Sequence, residues 1–477
     1  MKFFPTIAGL LLINVYLCKS SDVVVETKSC KIQGKVYDIK GKKVAKFLGV
    51  RYAKANRFER PQPPDACKET LVADKQPPLC PQVDPTHMKK PDKVKDKMGS
   101  FNMAEELKKI KTCGSVLSIM KQYFEAPKES EDCLFMNIFA PADIKPDAKL
   151  TIVIFFHGGF FQGGGISVPA YDGSAVKCPL PAKQGKEEVA KPSKETIDCL
   201  LKKSYDEIQK AQAEVLSSQQ SLPFLPTEGT EFFKGENPFD IFAKELPTKR
   251  IMFLSDSNEG GLFVTSALYD VYPPLNGEPK QVTLDQLSEK MKGNEKLSQA
   301  QMMLPMFFRG CNKDNPAEVR QRIFDLARDS VFVCLDQMFI QKFVKHKKHA
   351  AYYMRIDARL SNSPFAKYLQ GTQHGDELQC IFGLPETPEC EKQYTPEEKE
   401  FCHDLRNRVF SFAKHGNPNK EGAKPKWLPN HGTNKHYFHM VLDKKERKDH
   451  KGFPKNTCQL IVQYYGMMRS FCKGSKY

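Results

Sequence analysis

An α/β architecture is predicted by three features of the sequence. Short strand-like runs recur at Thr151–Phe156, Arg250–Leu254 and Ala350–Ile356, and the first is β-branched and aromatic with no charge, as a strand buried on both faces would be. Helical patterns with recognisable start signals alternate with these runs, which indicates a mainly parallel sheet covered on both faces. The chain of 477 residues, 40% hydrophobic and 10% aromatic, is long enough to bury a sizeable core. It shows no internal repeat and no low-complexity linker at which to divide it.

The first residues read as an address rather than as part of the fold. Met1-Lys2 precedes the apolar run Phe3–Leu17 and then Cys18-Lys19-Ser20, a basic start, a stretch too short to span a bilayer and a small-residue cut site. A signal peptide over residues 1–20 is expected, leaving 21–477 as a secreted, extracellular chain. The polar tail Arg469–Tyr477 argues against a lipid-anchor signal, and no later run is apolar and long enough to span a membrane. Of 15 cysteines, removal of Cys18 leaves an even number, expected to pair in an oxidising compartment. No spacing suggests a zinc site, and no N-x-[ST] acceptor occurs.

The net charge is +16, with lysines clustered at Lys89–Lys97, Lys342–Lys348 and Lys444–Lys451. Acidic residues are interspersed in two of these runs, so a solvated basic surface is expected, with weak attraction to acidic polysaccharide or anionic membrane as the functional alternative. No nucleic-acid motif is present.

In order along the chain, Val44–Phe58 predicts an early strand, followed by the turn-rich Pro61–Pro64. Met103–Phe124 has a helical period through Leu107, Ile110, Cys113, Leu117, Ile119 and Tyr123. Ser130–Cys133 opens a strand at Leu134–Ala140, and the Thr151 strand follows. Ser193 can cap a helix through Leu201, and Ser204 with Glu207 forms a capping box for another through about Leu216. Thr283 with Gln286 can cap a helix, and Asn315-Pro316-Ala317-Glu318 starts one with Pro in its first turn that continues into Val331–Phe343.

Three separated pieces carry chemical potential. His157-Gly158-Gly159 follows the Thr151 strand, and glycines there let backbone N–H groups approach a reacting oxygen; a plain strand-to-loop turn would look the same. Glu259 lies at the C-terminal end of the Arg250 strand, and His374 lies in Gly371-Thr372-Gln373-His374-Gly375-Asp376-Glu377-Leu378. A lone glutamate can be a capping group and a lone histidine a structural one, but an acid followed by a histidine, each in a loop after a strand, is the order of α/β-hydrolases.

Taken together with Phe47–Ala53, Arg57-Phe58, Ser130-Glu131-Asp132-Cys133-Leu134 with Asn137, Tyr171-Asp172-Gly173-Ser174, Asp198-Cys199-Leu200, Asn258-Glu259-Gly260, Arg328-Asp329 and Phe412–Asn419, these pieces resemble the type-B carboxylesterase/lipase family, which includes the cholinesterases. The resemblance runs from about Lys35 to about Phe438. It implies an α/β-hydrolase fold, serine acyl transfer on a small-molecule ester, and no metal or organic cofactor. It implies Glu259 as triad acid and His374 as triad base, Gly158 and Gly159 in the oxyanion loop, and disulfides joining Cys80 to Cys133 and Cys178 to Cys199. Cys113, inside the unusually long Cys80–Cys133 loop, is left unassigned.

The family's nucleophile, in a G-x-S-x-G elbow, is absent from the whole sequence. Tyr171–Val176 passes directly to Lys177-Cys178-Pro179, where the family has successive strand–helix units; three of these at about 30 residues each would be about 90 residues. Phe160 also stands where the pattern has a third glycine. The expected fold is therefore an α/β-hydrolase truncated near 176–177, with central strands of its sheet missing. Thr151–Phe156 and Arg250–Leu254 then face a gap or pair with each other. Ser167, Ser174, Ser255 and Ser257 lie near the retained pieces, but none sits on a strand–elbow–helix turn. An incomplete or alternatively spliced product, a secreted pseudoenzyme binding a protein or a hydrophobic ligand, and an active ester hydrolase with an unfamiliar nucleophile remain the three accounts.

Overall fold

A computed structural model describes residues 21–82, 107–175, 201–218 and 248–461, less short interruptions, the longest at 125–128, 160–162, 293–297, 420–422 and 454–457. The expected signal peptide, the Lys89–Lys97 cluster, Phe160, the junction at Val176-Lys177, the Ser193 helix, the Cys178–Cys199 pair and the C-terminal tail lie outside the described residues. The chain falls into two compact units, one within Met1–Ala55, Pro61–Pro77 and Leu134–Ala148, the other within Asn56–Arg60, Pro78–Cys133 and Lys149–Tyr477.

The first unit is a sheet. β1 (Ser21–Glu26), β2 (Lys31–Ile39), β3 (Lys42–Arg51) and β5 (Phe135–Pro141) pair antiparallel in that order, and the short β4 (Leu71–Val72) adds in parallel to β2. Alternation of side chains buries Ala45, Phe47 and Val50 with Ala73 on one face. Both predicted strands of this unit are present. The register of β3 with β5 shifts between Phe47 and Val50, where the Gly49 N–H donates to Asn137 Oδ1 at 3.0 Å and Asn137 Nδ2 donates to Gln76 at 2.9 Å. Asn137 thus satisfies backbone that the bulge leaves out of the ladder. A disulfide joins Cys30 to Cys67.

In the second unit Leu107-Lys108 are helical and α1 covers Val116–Phe124, while residues 110–114 between them are not helical, so the period from Met103 is broken there. Gly114, at φ +80°, turns the chain just before it, and Cys113 is tied to Cys390 by a disulfide spanning 277 residues. α2 (Tyr205–Ser218) begins at the predicted capping box: Glu207 N–H donates to Ser204 Oγ at 3.2 Å, and Ser204 N–H donates to Glu207 Oε2 at 2.8 Å.

The sheet that carries the candidate site is four-stranded. β6 (Arg250–Asp256) pairs in parallel with β7 (Ala350–Asp357), β7 in parallel with β8 (His436–Val441), and β8 antiparallel with β9 (Lys448–Lys451). β7 is central and almost wholly buried; Tyr352, Met354 and Ile356 enter one core cluster and Ala351 and Tyr353 another, so both faces are covered. β6 is a partly buried edge, paired only through β7 among the described strands.

The helices that follow β6 are α3 (Gly261–Ala267), α4 (Leu284–Met291), α5 (Ser298–Phe307), α6 (Pro316–Arg328) and α7 (Cys334–Phe343). Their apolar faces meet in a core of Val264, Leu268, Leu287, Met291, Phe307 and Ile323 with their neighbours. Thr283 and Gln286 make the full capping box on α4, and Asn315 Oδ1 accepts from Ala317 and Glu318 N–H at the start of α6. After β7 come α8 (Glu377–Ile381) and the long α9 (Pro396–His415), capped by Thr395 with Glu398 and ended by Gly416 in the left-handed region. Disulfides Cys80–Cys133, Cys334–Cys458 and Cys380–Cys402 close this unit, and Cys311 is the one free cysteine among the described residues.

One predicted strand does not form. Thr151–Phe156 has no regular secondary structure and pairs with no described strand, neither β6 nor any other. Its side chains are not buried: Ile154 is 69% and Phe156 84% exposed. The composition suits a strand with cover on both faces, but a strand exists only where a neighbour accepts its backbone bonds, and none is supplied among the described residues.

Two substitutions test this placement. Leu405→Ala, in the fully buried face of α9, is expected to cost ~2–5 kcal/mol in urea unfolding. Phe156→Ser is expected to change stability by no more than ~0.5 kcal/mol while raising solubility; a loss of several kcal/mol would place this run in a core.

Candidate active site

Two loops at the C-terminal end of the parallel sheet bring Glu259 and His374 together. The ladder continues just past the strands, with Ser257 N–H donating to Ile356 O at 2.8 Å and Asn258 N–H to Thr372 O at 2.9 Å. Thr372 N–H donates to Ser257 Oγ at 3.0 Å, and the Thr372 hydroxyl accepts from Ala358 N–H at 2.7 Å. These bonds stitch the loop after β6 to the loop after β7. Gly260 permits the close approach of α6, since a Cβ there would stand 2.4 Å from Phe324 O.

Glu259 is buried and spends both carboxylate oxygens. Oε1 accepts from Asp256 N–H at 2.9 Å, and Oε2 lies 2.7 Å from His374 Nδ1. The acid therefore fixes which histidine nitrogen faces inward and leaves Nε2 turned away from it. The His374 side chain is 32% exposed and packs against Phe332 and Phe263, with ring centroids at 4.8 and 5.6 Å. Phe332 rides on a single π-turn, Asp329–Val333, between α6 and α7. Arg328 donates to Asp325 and to the fully buried Asp329, which holds that turn in place.

Burial pulls the histidine downward, but the hydrogen bond and charge of Glu259, with the charges of Glu377 and Asp376, lift it net above the ordinary histidine value. Asp336, on α7, is pushed up to about 8, first by burial and then by the charge of Glu259. Asp256 and Glu377 are also raised, chiefly by burial.

The serines near the retained pieces lie in other settings. Ser174 Oγ donates to Asp172, Ser257 Oγ accepts from Thr372 N–H, and Ser255 Oγ is buried without a hydrogen-bond partner among the described residues. Ser167 is buried, and none of these serines is bonded to His374. Among the described residues no group of three or more metal-ligating side chains is placed to hold an ion.

The run that leads into the glycine loop touches the residue just past α8. Phe155 packs on Phe382, just past α8, at 4.9 Å and on Tyr171 at 4.9 Å. Gln82 brackets Gly164, donating to its carbonyl at 2.8 Å and accepting from its N–H at 3.0 Å. His157, Gly158 and Gly159 are exposed, and Gly159, at φ +132°, has its carbonyl occupied by Gly163 N–H. Cys80 and Cys133 form the disulfide that the resemblance implied, and the partner of Cys113 is Cys390.

Asp256, Asp336, Phe263 and Phe332 carried no distinguishing pattern in the sequence, since their importance depends on which elements meet. Glu377 stood inside the His374 motif, and its invisibility lay in its role rather than its position.

A parallel sheet with an acid–histidine pair held in the loops after neighbouring strands defines a protein of the α/β class. The chain belongs to the carboxylesterase family, whose model matches residues 21–177 and 173–461; that family implies the α/β-hydrolase fold. It is similar to mouse (Mus musculus) carboxylesterase 1D, 32% identical over 165 residues that cover 33% of this chain and 25% of that protein. It is also similar to mouse carboxylesterase 1F, 29% identical over 184 residues covering 37% and 28%. The para-nitrobenzyl esterase of Bacillus subtilis (strain 168) is 32% identical over 147 residues, 30% of this chain and 23% of that protein. The chain thus spans only about a quarter of the length of the curated relatives it matches.

Replacing Glu259 by Gln should lower the titration midpoint of His374, read by NMR. Because His374 is raised in the folded state, the stability it contributes is full below the unfolded histidine value of about 6.5 and is lost as pH rises through the folded one. The deficit of Glu259→Gln relative to the parent should therefore be larger at pH 5.5 than at pH 9; a deficit that grows with pH would contradict the assigned contact.

Proposed function

We propose that this chain is a secreted carboxylesterase-family protein that retains the triad acid Glu259, the triad base His374 and oxyanion-loop glycines Gly158 and Gly159, but is not catalytically competent. The observation that carries this reading is the acid–histidine contact with no described serine bonded to the histidine. Acyl transfer on an ester needs a hydroxyl deprotonated by the histidine and an oxyanion hole completed by the N–H just after it. The missing elbow removes both, and loss of a triad nucleophile leaves only weak residual catalysis. Coverage of only a quarter of the relatives' length supports a chain from which segments near 176–177 are missing. The Thr151–Phe156 run, which pairs with no described strand, supports the same reading.

The exposed apolar residues Ile152, Val153, Ile154, Phe155 and Phe156 favour a second reading, in which the chain is a non-catalytic binding protein for a hydrophobic ligand or a protein partner. If the chain were active, its substrate would be a small-molecule ester and it would need no metal or organic cofactor. No described helix is long and apolar enough to cross a membrane. The expected signal peptide and the five disulfides among the described residues support an extracellular location.

A fluorophosphonate probe should fail to label the purified secreted chain stoichiometrically, and ester turnover should stay at the level of His374→Ala. Labelling that is saturable and abolished by His374→Ala would establish an active serine and overturn the proposal.

A further inference from the structure

We propose that Asp256 is a neutral carboxylic acid near neutral pH and a positioning residue for His374, its hydroxyl donating to Glu377 and its carbonyl oxygen accepting the Gly375 amide. Asp256 ends β6 and is 3% exposed. Its Oδ2 accepts from Gly375 N–H at 3.2 Å, the residue next to His374. Its Oδ1 and Glu377 Oε2 are both fully buried, and neither meets an N–H or O–H of any other group. The two side chains are in hydrogen-bonding contact with each other. Two ionised carboxylates cannot share a buried contact of that kind, whereas one proton between them satisfies both orphan oxygens.

The proton belongs on Asp256. Burial comes first among the causes that hold its carboxyl well above the usual range, followed by the charges of Glu377 and Glu259. The groups facing it are Glu259 on the loop after β6, and Asp376 and Glu377 on the histidine loop. Glu377 in turn faces His374, Arg359 offsets Asp376 from its own segment, and Asp336 reaches Glu259 from α7. Asp256 thereby closes a ring of hydrogen bonds: His374 Nδ1 with Glu259 Oε2, Glu259 Oε1 with Asp256 N–H, and Asp256 Oδ2 with Gly375 N–H. The ring locks strand end, acid and histidine loop into one rigid piece. This inference rests on the Glu259–His374 pair and not on turnover.

The test uses the full secreted chain and three variants. The ¹³C carboxyl resonance of Asp256 should be that of a protonated acid at pH 7. Asp256→Asn, which keeps a carbonyl for Gly375 and a donor for Glu377, should leave the His374 midpoint and Gly375 amide protection unchanged. Asp256→Ala should speed exchange of the Gly375 amide by on the order of tenfold or more. Glu259→Gln serves as control and should lower the His374 midpoint. If Glu259→Gln has no effect on that midpoint, the acid–histidine reading itself fails. If it does, and Asp256→Asn lowers the midpoint comparably, Asp256 is ionised and the proposal is overturned. An ionised Asp256 resonance at pH 7 would overturn it without any variant, whether or not Asp256→Ala folds.

Discussion

The parallel ladder between β6 and β7 is the constraint on which the site depends. Its register pairs Asp256 with Ile356 and runs on, through Ser257 and Asn258, into the histidine loop. A slip of one residue would turn every β6 side chain to the other face and carry Glu259 away from His374. β7 can impose that register because it is buried on both faces and held from the far side by β8. The geometry of the candidate site is therefore inherited from backbone pairing, and the side chains complete it with few bonds of their own.

The same dependence on pairing explains why one predicted strand does not form. Thr151–Phe156 is chemically suited to a strand, yet hydrophobic composition alone does not hold a strand in place. With no described strand to take its N–H and C=O groups, the run keeps its apolar side chains largely exposed. Phe155 alone finds a setting, between Tyr171 and Phe382. A segment whose residues individually suit a strand can thus stay out of a sheet when no described neighbour accepts its backbone bonds.

Much of the fold was legible in the sequence because its signals were local. The capping boxes at Ser204, Thr283 and Thr395 and the proline-led start at Asn315 act within one turn, and the two capping boxes and the start anticipated from sequence appear where they were placed. β3, β5, β6 and β7 followed from their own residues. The helical period from Met103 to Phe124 is broken at residues 110–114, where Cys113 obeys the period while answering to Cys390, far away in the chain. Of the site, Glu259 and His374 could be found by order and flanking residues. Asp256 and the π-turn that presents Phe332 could not, because they matter only through neighbours that sequence spacing does not reveal.

The Cys113–Cys390 link has a consequence for how the molecule would respond to cutting. The bond encloses β6, the α3–α7 helices, β7 and the histidine loop. A protease that nicks any surface loop between those two cysteines would leave both fragments covalently attached. The break would pass unseen on a non-reducing gel and appear as two bands only once the sulfurs were reduced.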